Sequence, residues 1–158
     1  MFLRALLAFL VLPGAVAFIV PPVVALIDPW RTGVFLPGAL VMLLGVVLLL
    51  WCVRDFYVSG KGTLAPWDPP TKLVVVGLYR HTRNPMYVAV ITLLIGWCVL
   101  LTSPVLLLYA LILAIAFHIR VVTNEEPWLE SRFGTEWRQY RAEVGRWIPR
   151  LTPWNSSP

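Results

Sequence analysis

Four long apolar runs, at residues 2–27, 34–53, 86–102 and 104–122, are separated by short polar stretches, and the pattern changes character after position 123. About 20 apolar residues suffice for an α-helix to cross the hydrocarbon of a bilayer, so the runs predict four transmembrane helices. Pro13-Gly14 and Pro21-Pro22 interrupt the first run and predict a kink or an early end near Pro21. Asp28-Pro-Trp-Arg-Thr-Gly33 reads as a tight turn. The second run carries Pro37 harmlessly in its first turn and is expected to stop at Arg54-Asp55. The third and fourth runs are near the short limit for spanning, so modest tilt and close packing are expected, with Ser103-Pro104 closing a helical hairpin.

Between the second and third runs, residues 59–70 are rich in turn formers, the composition of a flexible tether. Trp67 and the apolar residues 73–76 argue instead for a loop that packs back on the bundle or skims the interface. Asn84-Pro85 is a helix start: asparagine caps, and proline is tolerated in the first turn. Beyond Asn124, the residues Leu129, Phe133, Trp137, Tyr140 and Val144 recur at helical spacing with charges between them. Trp137 and Phe133 are expected to bury against the cytoplasmic ends of the crossings. Gly134-Thr135 predicts a helix stop and a new cap, hence two short helices with a bend.

Composition excludes a soluble domain: 59% of residues are hydrophobic and 13% charged, with mean hydropathy +0.78. The net charge of +5 is therefore read as membrane topology, with no nucleic-acid partner. With four crossings, the N-terminus, the 54–85 loop and the C-terminal tail share one side. That side carries every Lys and Arg except Arg31, so it is cytoplasmic by the positive-inside rule. The expected organisation is a single all-α integral membrane domain: two transmembrane helices over 1–53, a cytoplasmic loop over 54–85, a transmembrane hairpin over 86–122 and an amphipathic cytoplasmic tail over 123–158. Ala15-Val-Ala17 resembles a signal-peptide cleavage site, but a retained anchor is expected because cleavage would spoil the charge pattern. Cys52 and Cys98 lie in apolar runs without metal-ligand spacing and read as buried thiols.

Two polar motifs then face the same compartment and can meet. Residues 77–87 concentrate arginines, a histidine, an asparagine and tyrosines where water meets hydrocarbon, just ahead of a helix whose first N–H groups carry partial positive charge. Glu125-Glu126 sit where the fourth crossing ends, with Arg120 about a turn and a half earlier. Acids at a membrane boundary are costly unless paired or used. One reading is a Glu–Arg clamp tying the tail to residues 77–87. The other is a polar cradle for a charged cofactor, built against a lipid-facing groove.

Leu73-Val-Val-Val-Gly-Leu-Tyr79 followed by Arg83-Asn-Pro-Met-Tyr87 resembles the first signature of the isoprenylcysteine carboxyl methyltransferases, which are related to the phospholipid methyltransferases. Glu125-Glu126, Leu129, Phe133-Gly134, Trp137, Tyr140, Val144 and Arg146 resemble that family's C-terminal motif. The match spans residues 56–150. The resemblance implies a membrane methyltransferase that uses S-adenosylmethionine on an apolar, lipid-like acceptor. It implies a cofactor pocket lined by Leu73, Val74, Tyr79, Arg83, Asn84, Pro85, Met86 and Tyr87, with Glu125 holding the cofactor and Arg120 orienting the substrate. Asn84 stands where many members have histidine, and Arg120 lies five residues before Glu125 instead of about four. A carboxylate acceptor needs no general base. An amine acceptor must shed a proton, with Glu126 the candidate to take it. A non-enzymatic scaffold is the reading of another class, disfavoured by two motifs at familiar spacing. A sterol-reductase-like enzyme would need more basic residues for its nicotinamide cofactor.

Overall fold

A computed structural model describes residues 10–60 and 71–155, the side chains of 10–13, 56, 57 and 60 excepted. Among the described residues the regular structure is all helical, without a strand. Leu10–Ile19 is wound as a π-helix and runs on into α1 (Val20–Ile27), followed by α2 (Pro37–Gly60), α3 (Pro85–Leu101), α4 (Pro104–Arg120) and α5 (Glu126–Glu143). Two stretches, Pro37–Asp55 and Pro104–Glu143, are long and apolar enough to cross a membrane, and Gly14–Ile27 and Pro85–Leu101 are shorter apolar helices.

The chain does not end its first helix at Pro21. The winding changes at Ile19, and Pro21 and Pro22 fall in the first turn of α1, directly behind the π-wound turns. Those prolines cannot return an N–H to the carbonyls one turn back. The Val16 carbonyl accepts from Tyr109 Oη at 3.1 Å and the Ala17 carbonyl from Trp97 Nε1 at 3.0 Å, which ties this segment to α3 and α4.

Helices α2 and α3 are antiparallel and unusually close. A Cβ on Gly45 would lie 2.5 Å from Leu93 N, and one on Gly96 would lie 2.4 Å from Met42 N. In a membrane, small residues of this kind let backbones touch and gain dispersion that larger ones forfeit. Helix α2 also continues past the expected stop to Gly60. Asp55 is buried inside it, one carboxylate oxygen paired with Arg54 at 3.1 Å and the other lying against Gly77. At the far end of the bundle the two turns meet: Ser103 Oγ donates to Asp28 and Thr32 Oγ1 to Thr102 Oγ1. Ser103 also caps α4 by accepting from Leu106 N.

At the other end lie residues 71–85 and residues 121–155. Residues 73–76 are extended, so successive side chains point to opposite sides. Val74 and Val76 enter a small core with Cys52 and Tyr79, while Leu73 and Val75 pack on Trp137, Tyr140 and Val144 of the tail. Trp137 is buried as expected, but against this extended segment and Trp154 instead of the helix ends, and Phe133 is only half-buried. Gly134 adopts φ 49° and bends α5, as Gly134-Thr135 predicts. Cys52 and Cys98 are buried free thiols. Trp67 and most of its loop lie outside the described residues.

Candidate active site where the two polar motifs meet

Residues 71–84 are short of regular structure, and several of their backbone groups are satisfied by the tail. They include a 3₁₀ turn, Gly77–Arg80; Gly77 takes φ 51°, a left-handed conformation that glycine adopts without steric cost. Arg83 N donates to the Gly145 carbonyl, Arg150 N to the His81 carbonyl and Trp154 N to the Arg80 carbonyl, each at 2.9 Å. Thr82 Oγ1 and Asn84 Nδ2 both reach the Arg146 carbonyl, and Tyr140 Oη donates to the Tyr79 carbonyl at 2.5 Å. Residues 145–154 thus form a strap laced along residues 79–84.

Asn84 is the residue before α3, as predicted, but its side chain does not cap the helix. The Arg146 carbonyl has taken it. The first-turn N–H groups of Met86 and Tyr87 are therefore left without a side-chain cap, a disposition that favours anions.

Two adjacent glutamates do different jobs here. Glu126 is buried and accepts two bonds from Arg146, at 2.6 and 2.8 Å, with the Arg83 guanidinium 3.0 Å away. Burial pushes the Glu126 carboxyl up, but the Arg146 hydrogen bonds and the charges of Arg83 and Arg146 outweigh it and hold the group below its ordinary value. Arg83 is itself buried, 5.4 Å from the Trp137 ring centroid; burial presses its guanidinium toward a lower value and Glu126 opposes that. Arg83 meets Glu126 through Nη1, and its Nε has no hydrogen-bond partner among the described residues.

Glu125 faces the opposite way. Its Oε1 accepts from Tyr87 Oη and from Arg120 Nε, the latter at 2.8 Å, and Arg120 Nε also lies 3.3 Å from Tyr87 Oη. The five-residue spacing of Arg120 and Glu125 is explained by the backbone. Val121–Glu125 is a π-turn between α4 and α5, and π winding places residues i and i+5 above one another. The Tyr87 ring packs on Phe117 at 4.5 Å between centroids, with Trp147 at 6.4 Å, and Trp147 Nε1 lies 3.1 Å from His118 Nδ1.

The structure therefore brings Tyr87, Arg120 and Glu125 together, and beside them Arg83, Asn84 and Glu126. The side chains of Val74, Tyr79 and Pro85 are buried in packing, Leu73 packs on the tail, and Met86 joins the cores on both sides. Phe117, His118 and Trp147 were not flagged by sequence. Trp147 carries a usable signal, an aromatic residue directly after the motif arginine Arg146, whereas Phe117 and His118 sit in an apolar run that hides them.

Residues 34–136 match the model of the phospholipid methyltransferase family. The chain is 40% identical over 80 residues to the protein-S-isoprenylcysteine O-methyltransferase of Schizosaccharomyces pombe, covering 50% of this chain and 34% of that protein. It is 30% identical over 130 residues to the nickel-cobalt-cadmium resistance protein NccN of Alcaligenes xylosoxydans xylosoxydans, covering 82% of this chain and 56% of that one. An uncharacterised protein of Haemophilus influenzae matches at 32% identity over 63 residues, its whole length and 40% of this chain. The chain thus spans well under two thirds of both relatives that carry a descriptive name. No solved structure matches it significantly. With the family model covering most of the chain, this protein belongs to the phospholipid methyltransferase family of membrane methyltransferases.

Proposed function

We propose that this protein transfers a methyl group from S-adenosylmethionine to the carboxylate of an apolar, lipid-like acceptor at the cytoplasmic face of a membrane. The observation that carries this reading is the geometry of Arg120. Both of its bonds, to Glu125 and to Tyr87, use Nε. The two terminal nitrogens are left for a carboxylate, which a guanidinium grips bidentately. Arg120 is half-exposed at the end of α4, whose outward side chains are apolar. A polar head held there would leave its apolar body in lipid.

The open polar atoms fit the cofactor's amino-acid end and cationic centre. The uncapped start of α3 suits a carboxylate, and Glu125 Oε2 suits a positive group. S-adenosylmethionine supplies a methyl already activated on sulfonium. The chain's task is then to align the acceptor and exclude water. Tyr87, clasped by Phe117 and Glu125, is fixed in orientation between the two halves of the site. Glu126, held below its ordinary value by two arginines, is read as the clamp and not as a base. An amine acceptor would lack its proton acceptor there, which favours carboxyl O-methylation over phospholipid N-methylation.

In the same reading the chain is one domain that crosses the membrane four times with both termini cytoplasmic. The gathering of residues 71–85 and the tail at one end of the bundle, with Arg31 at the other, supports that topology. The test is to incubate purified protein with methyl-labelled cofactor and a membrane lipid extract, then follow the label by mass spectrometry. The reading requires a base-labile methyl ester, lost in Arg120→Met. Label that survives alkaline hydrolysis on a nitrogen would refute O-methylation.

A further inference from the structure

The strap that laces the tail to the site is built inside out for a surface facing water. Its arginines turn inward: Arg146 onto Glu126, and Arg150 Nη1 onto the Glu143 carbonyl at 3.1 Å. Its two large aliphatic residues turn outward instead, Ile148 with 83% and Leu151 with 99% of its surface exposed. The strap is also not a loose end, because its backbone is bonded to His81 and Arg80 at two points. Two large aliphatic side chains held rigidly outward need an apolar partner.

The position of the strap says which one. Trp147, directly before Ile148, contacts His118 in the last turn of α4. His118 borders a stripe of outward apolar residues on that helix, Ile112, Ile115 and Ile119, which follow one another at i, i+3 and i+7. The stripe is the surface that α4 offers to lipid in a membrane protein. Through Trp147 the strap adjoins the end of that stripe, close to the Tyr87–Arg120 contact. Over residues 124–155 five arginines are balanced by five glutamates, so the tail carries no net charge of its own to draw it to acidic lipid.

We infer that Ile148 and Leu151 insert into the headgroup–acyl boundary of the membrane that α4 crosses, seating the strap, and with it the Tyr87–Glu125–Arg120 group, on the lipid surface. Insertion is driven by apolar burial and is the same over zwitterionic and acidic lipid. The inference does not depend on methyl transfer.

The experiment attaches an environment-sensitive fluorophore to Ile148→Cys or Leu151→Cys, with Gln139→Cys, an exposed position of α5, as the aqueous reference. Unsubstituted protein, whose two cysteines are buried, gives the background. The proteins are placed in phosphatidylcholine nanodiscs containing a lipid with a nitroxide at the top of its acyl chain. Both strap probes should be quenched by the lipid nitroxide about threefold or more above Gln139, and be about threefold less accessible to iodide. Replacing part of the lipid with phosphatidylglycerol should change neither value. Iodide access equal to Gln139 overturns the inference. So does shielding from iodide without nitroxide quenching, which would place another protein surface over the strap. The substitutions are at exposed positions, and an unchanged melt in detergent verifies the fold of each labelled variant.

Discussion

Glu125 and Glu126 are neighbours in sequence, and their surroundings predict opposite responses to the same substitution. Glu126→Gln removes the anion that faces Arg83, whose side chain is only 8% exposed. Leaving a buried charge without its partner costs about 3–5 kcal/mol. For a chain of this size that is a fall in melting temperature of roughly 6–20 °C. Glu125→Gln breaks a pair with Arg120 in which the side chains are 30% and 47% exposed. Exposed pairs contribute about 0–1 kcal/mol, so the melt should move by only a few degrees. Cofactor affinity should respond in the opposite order. A charge-assisted bond to ligand is worth about 1.5–3 kcal/mol, so Glu125→Gln should weaken S-adenosylhomocysteine binding roughly tenfold to a hundredfold. Glu126→Gln, measured on the folded fraction, should bind within a few-fold of the parent. Thermal melts and calorimetric titrations of the same detergent preparations provide both numbers. Adding Arg83→Met to Glu126→Gln should recover much of the lost stability, because the stranded charge goes with it. Equal melting losses in the two single variants, or an affinity for Glu125→Gln within twofold of the parent, would refute this division of labour.

Other outcomes follow from the same geometry. Trp137→Ala should cost about 3–5 kcal/mol in a denaturation experiment, since the ring is buried between the extended segment and the strap. Gly77→Ala should destabilise by at least about 1–2 kcal/mol from its left-handed backbone alone, and more because a Cβ would sit 1.8 Å from Asp55 Oδ2. Because Glu126 is held below its ordinary value of 4.5, the unfolded chain takes up its proton more readily than the folded one. Its contribution is complete above that value and is lost as pH falls through the folded one, so melts should drop on acidification below about pH 4.5 and do so much less in Glu126→Gln. Cysteine-accessibility labelling in intact cells should find residues 59–70 inside and a cysteine at Arg31 outside; the reverse would overturn the topology.

Much of this was legible in the sequence because a bilayer imposes simple rules. Run lengths and the placement of Ser103-Pro104 marked the helices, and Lys/Arg asymmetry grouped the two motifs at one end. Three things were not legible, and each has a local cause. Arg54-Asp55 reads as a stop because charge is costly in an apolar helix, but Asp55 is accommodated by Arg54 and by the gap over Gly77, which no local pattern reveals. Asn84 reads as a cap, but a carbonyl 62 residues away competes for its side chain. The valine run at 73–76 reads as one apolar patch, whereas alternation divides it between two cores.

The π-turn at Val121–Glu125 has a consequence for how such a site can be retuned. One residue added to an α-helix turns everything beyond it by about 100°. Here the extra residue is absorbed as a wider loop of backbone, so α5 keeps roughly the face it would present on a plain α-helix. With that face kept, one glutamate looks toward Arg120 and the other toward Arg83. Removing Val122 should therefore be absorbed in its turn: the wide turn closes to an ordinary one, the two carboxylates hold their directions, and Arg120 stands four residues before the outward one instead of five. The width of a single backbone turn takes up the slack, so the spacing can change while the aim does not.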